Sequence, residues 1–324
     1  MKNNKCIFIV PYFGKLPNTF PLFLKSCEEN PKFNWLILTD DTSEYNYPSN
    51  VKVIKKNFSE FKKDIQKHFD FKICLDSYQK LCDYKPVYGL VLEKLIARYE
   101  FWGYCDIDVI FGRISDFLTE DILSKNDKFF QMGHCTVFRN THENNRLFMR
   151  KYKGVLEYKK SFTTNKVTTF DEVYGDSIDI DDLFAFYSKK IYKRNVAFDI
   201  QPGVLGFQNA NYDYNEKKYL YELHYWNKLC VWDNGQVKRI FVENNEIKTL
   251  NYMYVHLQDR KINWSVKCLD TDQWQIIPEF IKPIDLGKIT PTKLKLMLKF
   301  NIDFNTLDYF CLRSLAKIKH LVVK

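Results

Sequence analysis

Residues 101–108 read Phe-Trp-Gly-Tyr-Cys-Asp-Ile-Asp, an apolar run that ends in two acidic residues one position apart. The apolar part has the composition of a buried strand. Side chains two positions apart in an extended segment point to the same side, so Asp106 and Asp108 converge. Two adjacent carboxylates repel each other, and a bound Mg²⁺ or Mn²⁺, which suit oxygen ligands, would relieve that repulsion. The Asp-x-Asp pattern predicts a metal site, although a solvated turn with helix-capping acids is the alternative for the motif alone.

Strands and helices alternate before this motif. Residues 6–10 and 35–39 are apolar runs typical of buried strands, and residues 20–29 between them suit a helix. A short strand at 51–54 follows. An amphipathic helix comes next, with apolar side chains at spacings of three and four: Phe58, Phe61, Ile65 and Phe69. Pro86 is expected to begin a further helix that runs to about Tyr99.

This alternation predicts an α/β fold with a mainly parallel, Rossmann-like central sheet and flanking helices. Ligands of such sheets bind beyond the carboxyl ends of the strands. Asp40-Asp41 and Asp106-Ile107-Asp108 both follow strands and fall on that edge.

The second half of the chain has a different pattern. Residues 129–138 are expected to contain a strand, and residues 171–187 are acidic and then helical. Residues 220–256 alternate as antiparallel strands do, with Asn234-Gly235 as a tight hairpin turn and Asn244-Asn245 as a second. One boundary is expected near Pro283, before a basic segment.

A histidine late in the chain adds to the metal prediction. His256 follows an apolar stretch and is close to Gln258, Arg260 and Lys261. Such a histidine is a plausible third metal ligand, and neighbouring cations suit phosphate groups. A histidine with a purely structural role is the alternative. The combination with Asp-x-Asp is more specific than either part.

Composition excludes several classes of protein. The 324 residues are 45% apolar and 27% charged, as in a globular chain. The nine cysteines include no Cys-x-x-Cys pair, which argues against a zinc ribbon or a disulfide framework and predicts reduced thiols in the cytoplasm. The N-terminus lacks the cleavage site of a signal peptide, and no run of 18 apolar residues predicts a membrane span.

The net charge of +9 is concentrated near the C-terminus. Residues 288–324 hold eight Lys or Arg and two Asp, which gives +6 of that charge, with apolar residues interspersed. A basic amphipathic helical tail can bind an anionic membrane surface, and a helical cap with a solvated basic face is the alternative. Nucleic acid is not an expected partner, because no recognised nucleic-acid-binding motif accompanies the charge.

Four segments together resemble a family of bacterial polysaccharide glycosyltransferases from capsule and lipopolysaccharide gene clusters, many labelled only as of unknown function. The segments are 81–89 (LCDYKPVYG), 102–112 (WGYCDIDVIFG), 170–172 (FDE) and 254–258 (YVHLQ). The resemblance covers roughly residues 5–262. It implies the GT-A fold over residues 1–282, with a nucleotide-sugar-binding half (1–112) and an acceptor-binding half (113–282). Residues 283–324 would form the basic amphipathic tail.

The resemblance also implies roles for individual residues. Asp106, Asp108 and His256 match the metal ligands of such enzymes, with Mn²⁺ or Mg²⁺ as cofactor. The other implied donor-site residues are Pro11, Tyr12 and Phe13 at the nucleoside, Asp40 at the base or ribose, Lys85 at the diphosphate or donor sugar, and Gln258, Arg260 and Lys261 at the phosphates. Asp259 replaces the lysine of close family patterns, which leaves open which cation meets the phosphate.

Asp171 and Glu172 match the acidic pair placed near the acceptor at a helix N-terminus, where a carboxylate can act as general base. Simple helix capping is the alternative, and the nearby acids Asp176, Asp179, Asp181 and Asp182 are further candidates.

These residues predict a metal-dependent hexosyltransferase. It would use a UDP-sugar and a saccharide acceptor, expected to be lipid-linked, in capsule, O-antigen or lipopolysaccharide synthesis. The protein is expected to be cytoplasmic, with peripheral contact at the inner face of the cell membrane. Two rivals stay open: a metal-dependent phosphohydrolase of nucleotide sugars, which usually needs more clustered ligands than the six scattered histidines offer, and a non-catalytic nucleotide-sugar-binding protein.

Overall fold

The computed structural model describes residues 5–299 apart from residues 203, 205, 217, 259 and 279. Its strands, in chain order, are β1 (Cys6–Pro11), β2 (Phe33–Thr39), β3 (Val51–Lys55), β4 (Phe101–Cys105), β5 (Val109–Phe111), β6 (Lys128–Phe129), β7 (Cys135–Arg139), β8 (Ile191–Tyr192), β9 (Ala197–Asp199), β10 (Ala210–Asp213), β11 (Lys218–Tyr221), β12 (Lys228–Asp233), β13 (Gln236–Glu243), β14 (Glu246–Tyr252), β15 (Tyr254–His256), β16 (Asn263–Trp264), β17 (Gln273–Ile277) and β18 (Phe280–Pro283).

The helices cover the central sheet and the edges of the fold. They are α1 (Phe20–Glu28), α2 (Phe58–Gln66), α3 (Tyr88–Val91), α4 (Glu93–Ile96), α5 (Glu120–Lys125), α6 (Glu157–Phe162), α7 (Ile180–Phe186) and α8 (Pro291–Lys299). Short 3₁₀ segments occur at Gln79–Val87, Ile114–Asp116, Asn144–Met149, Tyr225–Asn227, Val266–Asp270 and Leu286–Lys288.

The central sheet has the strand order β3-β2-β1-β4-β7-β6-β8. Strands β3, β2, β1 and β4 are parallel, β7 runs antiparallel to both neighbours, and β8 is parallel to β6. The prediction of an α/β fold with a mostly parallel sheet is therefore confirmed. The predicted strands at 6–10, 35–39 and 51–54 are β1, β2 and β3, and the predicted helices at 20–29 and from Phe58 are α1 and α2.

Both faces of this sheet are buried. Along β1, Phe8 and Val10 pack into one apolar core, whereas Ile7 and Ile9 pack into the other. Alternating strand side chains point to opposite faces, so a strand covered on both sides has to be apolar throughout. This explains why residues 6–10 form an uninterrupted apolar run.

The helix expected from Pro86 to Tyr99 is not continuous. Pro86 lies inside the 3₁₀ segment Gln79–Val87, and two four-residue helices follow it, separated at Leu92 (φ −107°, ψ 17°). Gly89 explains part of this arrangement. A Cβ atom there would lie 2.4 Å from the ring of Trp102, so the backbone of α3 approaches the tryptophan more closely than a regular side-chain-bearing helix could. The backbone conformation of this segment is therefore determined by the burial of Tyr84, Val87 and Tyr88, and not by helix propensity.

A second, six-stranded sheet has the order β14-β13-β12-β17-β18-β16. The predicted turns join its strands: Asn234-Gly235 links β12 to β13, and Asn244-Asn245 links β13 to β14. All four turn residues have positive φ, as type I′ hairpin turns require. Trp232 and Trp274 stack at the centre of this unit with ring centroids 4.1 Å apart.

A small three-stranded sheet, ordered β5-β15-β9, connects the two larger ones. Strand β15 pairs antiparallel with β5 and parallel with β9, so His256 lies opposite Val109 on one side and Asp199 on the other. Because β5 directly follows Asp106 and Asp108, this register brings a late histidine next to the early acidic pair.

The chain beyond β18 is described only as far as residue 299. Leu294 of α8 is buried with Leu229, Val231 and Ile240 of the six-stranded sheet, so the start of the basic segment packs on the folded body. The rest of the predicted tail, residues 300–324, lies outside the described residues, and the boundary near Pro283 stays a prediction.

Among the helices that the structure describes, none has the length and apolar character needed to cross a bilayer. The eight cysteines within the described range are free thiols.

Candidate active site

Asp106, Asp108 and His256 come together at the carboxyl end of the central sheet. One atom from each lies within 4.8 Å of the others. The Nε2 atom of His256 is 3.4 Å from Oδ1 of Asp108 and 4.0 Å from Oδ2 of Asp106. This is the group predicted from the sequence, and its geometry arises from the β5–β15 pairing.

The spacing suits a divalent cation. Ligands about 2.1 Å from one octahedral ion lie about 3.0 Å apart in cis positions and about 4.2 Å apart in trans positions. The two observed separations fall between these values. The two carboxylates are ligands that suit Mg²⁺ or Mn²⁺, and the imidazole adds a nitrogen ligand of the kind that transition ions accept more readily than Mg²⁺ does. These residues can therefore hold a metal ion without rearrangement of the backbone.

The other side of His256 is held by Asp199. The Nδ1 atom of His256 is 2.8 Å from Oδ1 of Asp199, which also accepts a hydrogen bond from Nε2 of Gln258 (2.7 Å). A carboxylate at Nδ1 fixes the tautomer that directs the Nε2 lone pair towards the metal position. Burial alone would lower the pKa of His256, but the charges of Asp108 and Asp199 outweigh it and raise that pKa well above its usual range.

A second histidine lies against this group. The rings of His134 and His256 are 4.5 Å apart, and Nδ1 of His134 is 2.7 Å from the hydroxyl of Tyr254. Burial, followed by the charge of His256, lowers the pKa of His134 to about 4. His134 therefore stays neutral at physiological pH and supports the ring of His256 by packing.

A cavity of about 640 Å³ opens beside the acidic pair. Its lining includes Pro11 at the end of β1 with Tyr12 and Phe13 after it, and also Gln258, Arg260 and Lys261, which follow β15. Lys85, Asp106 and Asp108 also line the cavity, together with Tyr78, whose side chain is 55% exposed. The volume is that of a small-molecule site with aromatic and charged walls.

Lys85 connects the acidic pair to a second carboxylate. Its Nζ donates to Oδ1 of Asp106 (2.7 Å) and to the carbonyl of Gly133 (2.8 Å), and it lies 3.6 Å from Oδ2 of Asp171. Burial would lower the pKa of Lys85, but Asp106 and Asp171 raise it well above its usual range. For Asp106, burial would raise the pKa, and Lys85 and His256 lower it. Lys85 therefore stays a cation and Asp106 an anion at neutral pH.

Asp171 and Glu172 do not begin a helix. They lie in an irregular segment, and the N-cap of α7 is Asp179, which forms a capping box with Asp182. The expected placement at a helix N-terminus is therefore wrong, because Asp179 supplies the oxygen that accepts from the first helical N–H groups. Asp181, another acid considered as a base, is buried in an ion pair with Lys128 (2.6 Å).

Gly133 lies directly against this acidic pair. Its N–H donates to Oε2 of Glu172 (2.7 Å), and a Cβ atom at this position would be 2.6 Å from Oδ2 of Asp171. Asp171 is buried, whereas Glu172 is half-buried and accessible. Burial raises the pKa of both carboxyls, most strongly for Asp171.

A buried ion pair holds the segment before Asp171. Lys80 and Asp83 are 2.6 Å apart and almost fully enclosed. The carboxylate of Asp83 accepts hydrogen bonds from the backbone N–H groups of Thr168 and Phe170. The Leu81–Gly89 stretch thus supplies Lys85 and also fixes the segment that carries Asp171.

A family model matches residues 8–285 of the chain, and its description is "Family of unknown function (DUF6625)". The chain belongs to this family. The match covers nearly all of the central sheet, the Asp106, Asp108 and His256 group and the six-stranded sheet of the DUF6625 chain.

Solved structures give weaker likenesses. One is described as the galactosyltransferase LgtC in complex with donor and acceptor sugar analogs, with 13% identity, a TM-score of 0.35, and coverage of 61% of this chain and 76% of that chain. Another, an active-site mutant of LgtC, has 14% identity, a TM-score of 0.34, and coverage of 61% and 75%. Both TM-scores are too low to establish a fold or an activity. No curated protein matches the chain.

Two predicted donor-site residues of the DUF6625 chain have structural contacts of their own. Asp40 is exposed, and its Oδ1 accepts from the N–H of Gly14 (2.7 Å), so it holds the loop after β1 and is not among the residues that line the cavity. Nη2 of Arg260 donates to the carbonyls of Gln201, Val204 and Gly206. The predicted roles of both in donor binding stay predictions.

Sequence reasoning missed Asp199 and His134. Asp199 follows the apolar residues of β9, which is the same signal that identified Asp106, so the pattern of an acid at the end of a strand could have found it. His134 stands in Met132-Gly133-His134-Cys135 with no informative spacing. Only the fold places it against His256.

Proposed function

We propose that this DUF6625 protein is a metal-dependent glycosyltransferase that moves a sugar from a nucleotide-sugar donor to a saccharide acceptor. The observation that carries the proposal is the Asp106, Asp108 and His256 group at the side of a 640 Å³ cavity, with Lys85 connecting it to Asp171, the neighbour of Glu172. This arrangement supplies a diphosphate-binding centre and a separate carboxylate for the acceptor.

The donor would occupy the cavity. Its nucleoside would contact Pro11, Tyr12 and Phe13, and its diphosphate would face the metal ligands. A divalent ion bound there would neutralise the negative charge that develops on the leaving diphosphate. Arg260 and Lys261 line the same cavity and add positive charge on that side.

Glu172 is our proposal for the group that receives the acceptor proton. The acceptor oxygen forms a bond to the anomeric carbon, the bond from that carbon to the diphosphate oxygen breaks, and its electron pair leaves with the diphosphate. The hydroxyl proton passes to Glu172, whose pKa is raised by burial and which is the more accessible of the two acids. Asp171, buried 3.6 Å from Lys85, is assigned to positioning that lysine.

The finer assignments extend this proposal. We propose a UDP-hexose donor with Mn²⁺ or Mg²⁺ as cofactor, and an acceptor saccharide, lipid-linked, in capsule or lipopolysaccharide synthesis at the inner membrane face. They are supported by the Asp-x-Asp and late histidine pattern and by the four family-like segments. Binding of residues 288–324 to an anionic membrane stays a prediction from charge, since most of that segment lies outside the described residues.

The test is an incubation of the purified protein with a panel of nucleotide sugars and Mn²⁺ or Mg²⁺, with EDTA controls. We expect metal-dependent release of nucleoside diphosphate, slow with water alone and faster with saccharide acceptors. Release of a sugar phosphate would instead show a phosphohydrolase. Thermal stabilisation by nucleotide sugars without turnover against an acceptor library would show a binding protein.

A further inference from the structure

The hairpin β10–β11 presents a row of tyrosines on one face. Tyr212 and Tyr219 are directly opposite each other in the antiparallel register, and Tyr221 is two positions beyond Tyr219 on the same side. Tyr214 continues the row, with its ring 5.4 Å from that of Tyr212. We call Tyr212, Tyr214, Tyr219 and Tyr221 the tyrosine face. Leu220 points to the opposite face, because strand side chains alternate.

The rings of this face form an ordered array. Tyr219 and Tyr221 have nearly parallel rings (16°) with centroids 6.1 Å apart, and Tyr212 meets Tyr219 edge-on at 5.1 Å. Burial decreases along the row, from 6% exposed for Tyr212 to 46% for Tyr221. A graded row of this kind leaves aromatic surface accessible at its outer end and keeps its inner end fixed.

The row contacts the segment that carries Glu172. Tyr174, two residues after Glu172 and 50% exposed, has its ring 6.3 Å from that of Tyr219. After burial, the charges of Glu172 and Asp199 contribute to the raised pKa of Tyr219, so the phenol is within electrostatic range of both carboxylates. The tyrosine face thus contacts Tyr174, two residues from the acid that we assign to the acceptor proton, and none of these tyrosines is among the residues that line the donor cavity.

The chemistry of this surface suits a carbohydrate. A phenol ring offers an apolar face for the C–H surface of a sugar and a hydroxyl for its polar rim. The hydroxyl of Tyr212 is buried and has no hydrogen-bond partner among the described residues, although buried hydroxyls are nearly always satisfied. Because that hydroxyl is enclosed, a buried water is the partner that would satisfy it, and the half-buried ring of Tyr219 and the exposed ring of Tyr221 are the surface open to a ligand.

We propose that the tyrosine face and Tyr174 form the acceptor subsite, in which a sugar ring of the saccharide acceptor stacks on Tyr219 and Tyr221 with its reactive hydroxyl directed towards Glu172. This inference rests on the proposed function for its choice of ligand.

The variants that test it are Tyr219→Ala and Tyr221→Ala, with Tyr221→Phe as the version that keeps the ring. Leu220→Ala is the matched control, since Leu220 is 47% exposed on the other face of the same strand. Circular dichroism and thermal melting establish that each variant is folded.

The first measurement is saturation-transfer NMR with lactose and with the methyl glycosides of galactose, glucose and N-acetylglucosamine, without any donor. We expect transfer to sugar C–H protons in the wild type, in Tyr221→Phe and in Leu220→Ala, and saccharide affinity about tenfold weaker in the two tyrosine-to-alanine variants. Saccharide binding that is unchanged in those variants, or absent from the wild type over the whole panel, would overturn the inference.

The second measurement separates this inference from the proposed function. In the transferase assay, the ratio of acceptor KM to donor KM should rise about tenfold in the alanine variants and stay constant in Leu220→Ala. Saccharide binding at the tyrosine face without any sugar transfer would reject the proposed function alone. Transfer with an unchanged KM ratio would reject the acceptor subsite alone.

Discussion

Asp199→Asn should weaken metal binding although Asp199 is not itself placed at the metal. Its Oδ1 is 2.8 Å from Nδ1 of His256, and both side chains are more than nine-tenths buried, so solvent screens their contact very little. The substitution keeps the size of the side chain and removes its charge. In the wild type, the contact with Asp199 keeps the His256 proton on Nδ1, so that Nε2 is free to face Asp106 and Asp108. The substitution weakens that contact.

The magnitude follows from the strength of that contact. A hydrogen bond to a charged group contributes about 1.5–3 kcal/mol net. At about 1.4 kcal/mol for each factor of ten, loss of this whole contribution would raise the Kd for Mn²⁺ by roughly one to two orders of magnitude, which is the upper limit for a variant whose amide oxygen can still accept from Nδ1. Loss of a partner behind a metal-bound histidine typically has an effect of the same size, about 10–100-fold.

Electron paramagnetic resonance of free Mn²⁺ measures this Kd directly, because the bound ion loses the sharp six-line signal. Asp176→Asn is the matched control, since Asp176 is exposed and remote from the ligand group in sequence. An Asp199→Asn protein that binds Mn²⁺ as tightly as the control would refute the assignment of His256 as a ligand held by Asp199.

Four further results are expected. Asp108→Ala should abolish Mn²⁺ binding and metal-dependent release of nucleoside diphosphate, and full activity in this variant would exclude the proposed site. The raised pKa of His256 means that the metal-free protein holds a proton on this side chain at neutral pH, and a metal ion must displace that proton to bind. The affinity for Mn²⁺ should therefore increase by up to about tenfold per pH unit between pH 6 and pH 8, which titration calorimetry can measure. The same proton contributes its full stabilisation of the metal-free fold below about pH 6.5, the pKa of an unperturbed histidine. This stabilisation is lost as the pH rises from there through the higher pKa of His256 in the folded state, so the melting temperature of the metal-free protein should fall over that interval. Gly133→Ala would place a Cβ 2.6 Å from Asp171 and 2.9 Å from Glu172, and should lower kcat at least tenfold while the Kd for Mn²⁺ changes little; an unchanged kcat would argue against a role for this acidic pair.

Much of the fold follows from local patterns in the sequence. The apolar run at 6–10 identified a strand buried on both faces, and Asn234-Gly235 identified a hairpin turn that needs positive φ at both positions. These features depend on neighbouring residues, which is why one sequence is enough to find them. The interrupted helix after Pro86 was not predictable in the same way, because its path is set by the contact of Gly89 with Trp102.

The residues of the candidate site likewise fall into two groups: those that local sequence patterns identify and those that only the fold brings together. Asp106 and Asp108 share a strand end and were found together, and His256 was found through its basic neighbours. Asp199 and His134 contact His256 only because β9 and β15 pair in register and because the His134 backbone carbonyl accepts from the N–H of Asp106. Those contacts join residues distant in sequence, and no spacing rule encodes them. The placement of Asp171 and Glu172 failed because a later acid, Asp179, caps the helix.

The β5-β15-β9 sheet has a consequence for how the protein matures. Its strands come from three distant parts of the chain, and β15 adds His256 only after β12, β13 and β14 of the six-stranded sheet have been synthesised; β16, β17 and β18 follow it. Pairings of such large sequence separation form late in folding. A ribosome-bound chain that ends before Tyr254 should therefore have no competent metal centre, and Mn²⁺ uptake during refolding should accompany the pairing of β15 with β5 and β9. Metal binding would then stabilise only those chains in which β15 has paired with its two neighbours.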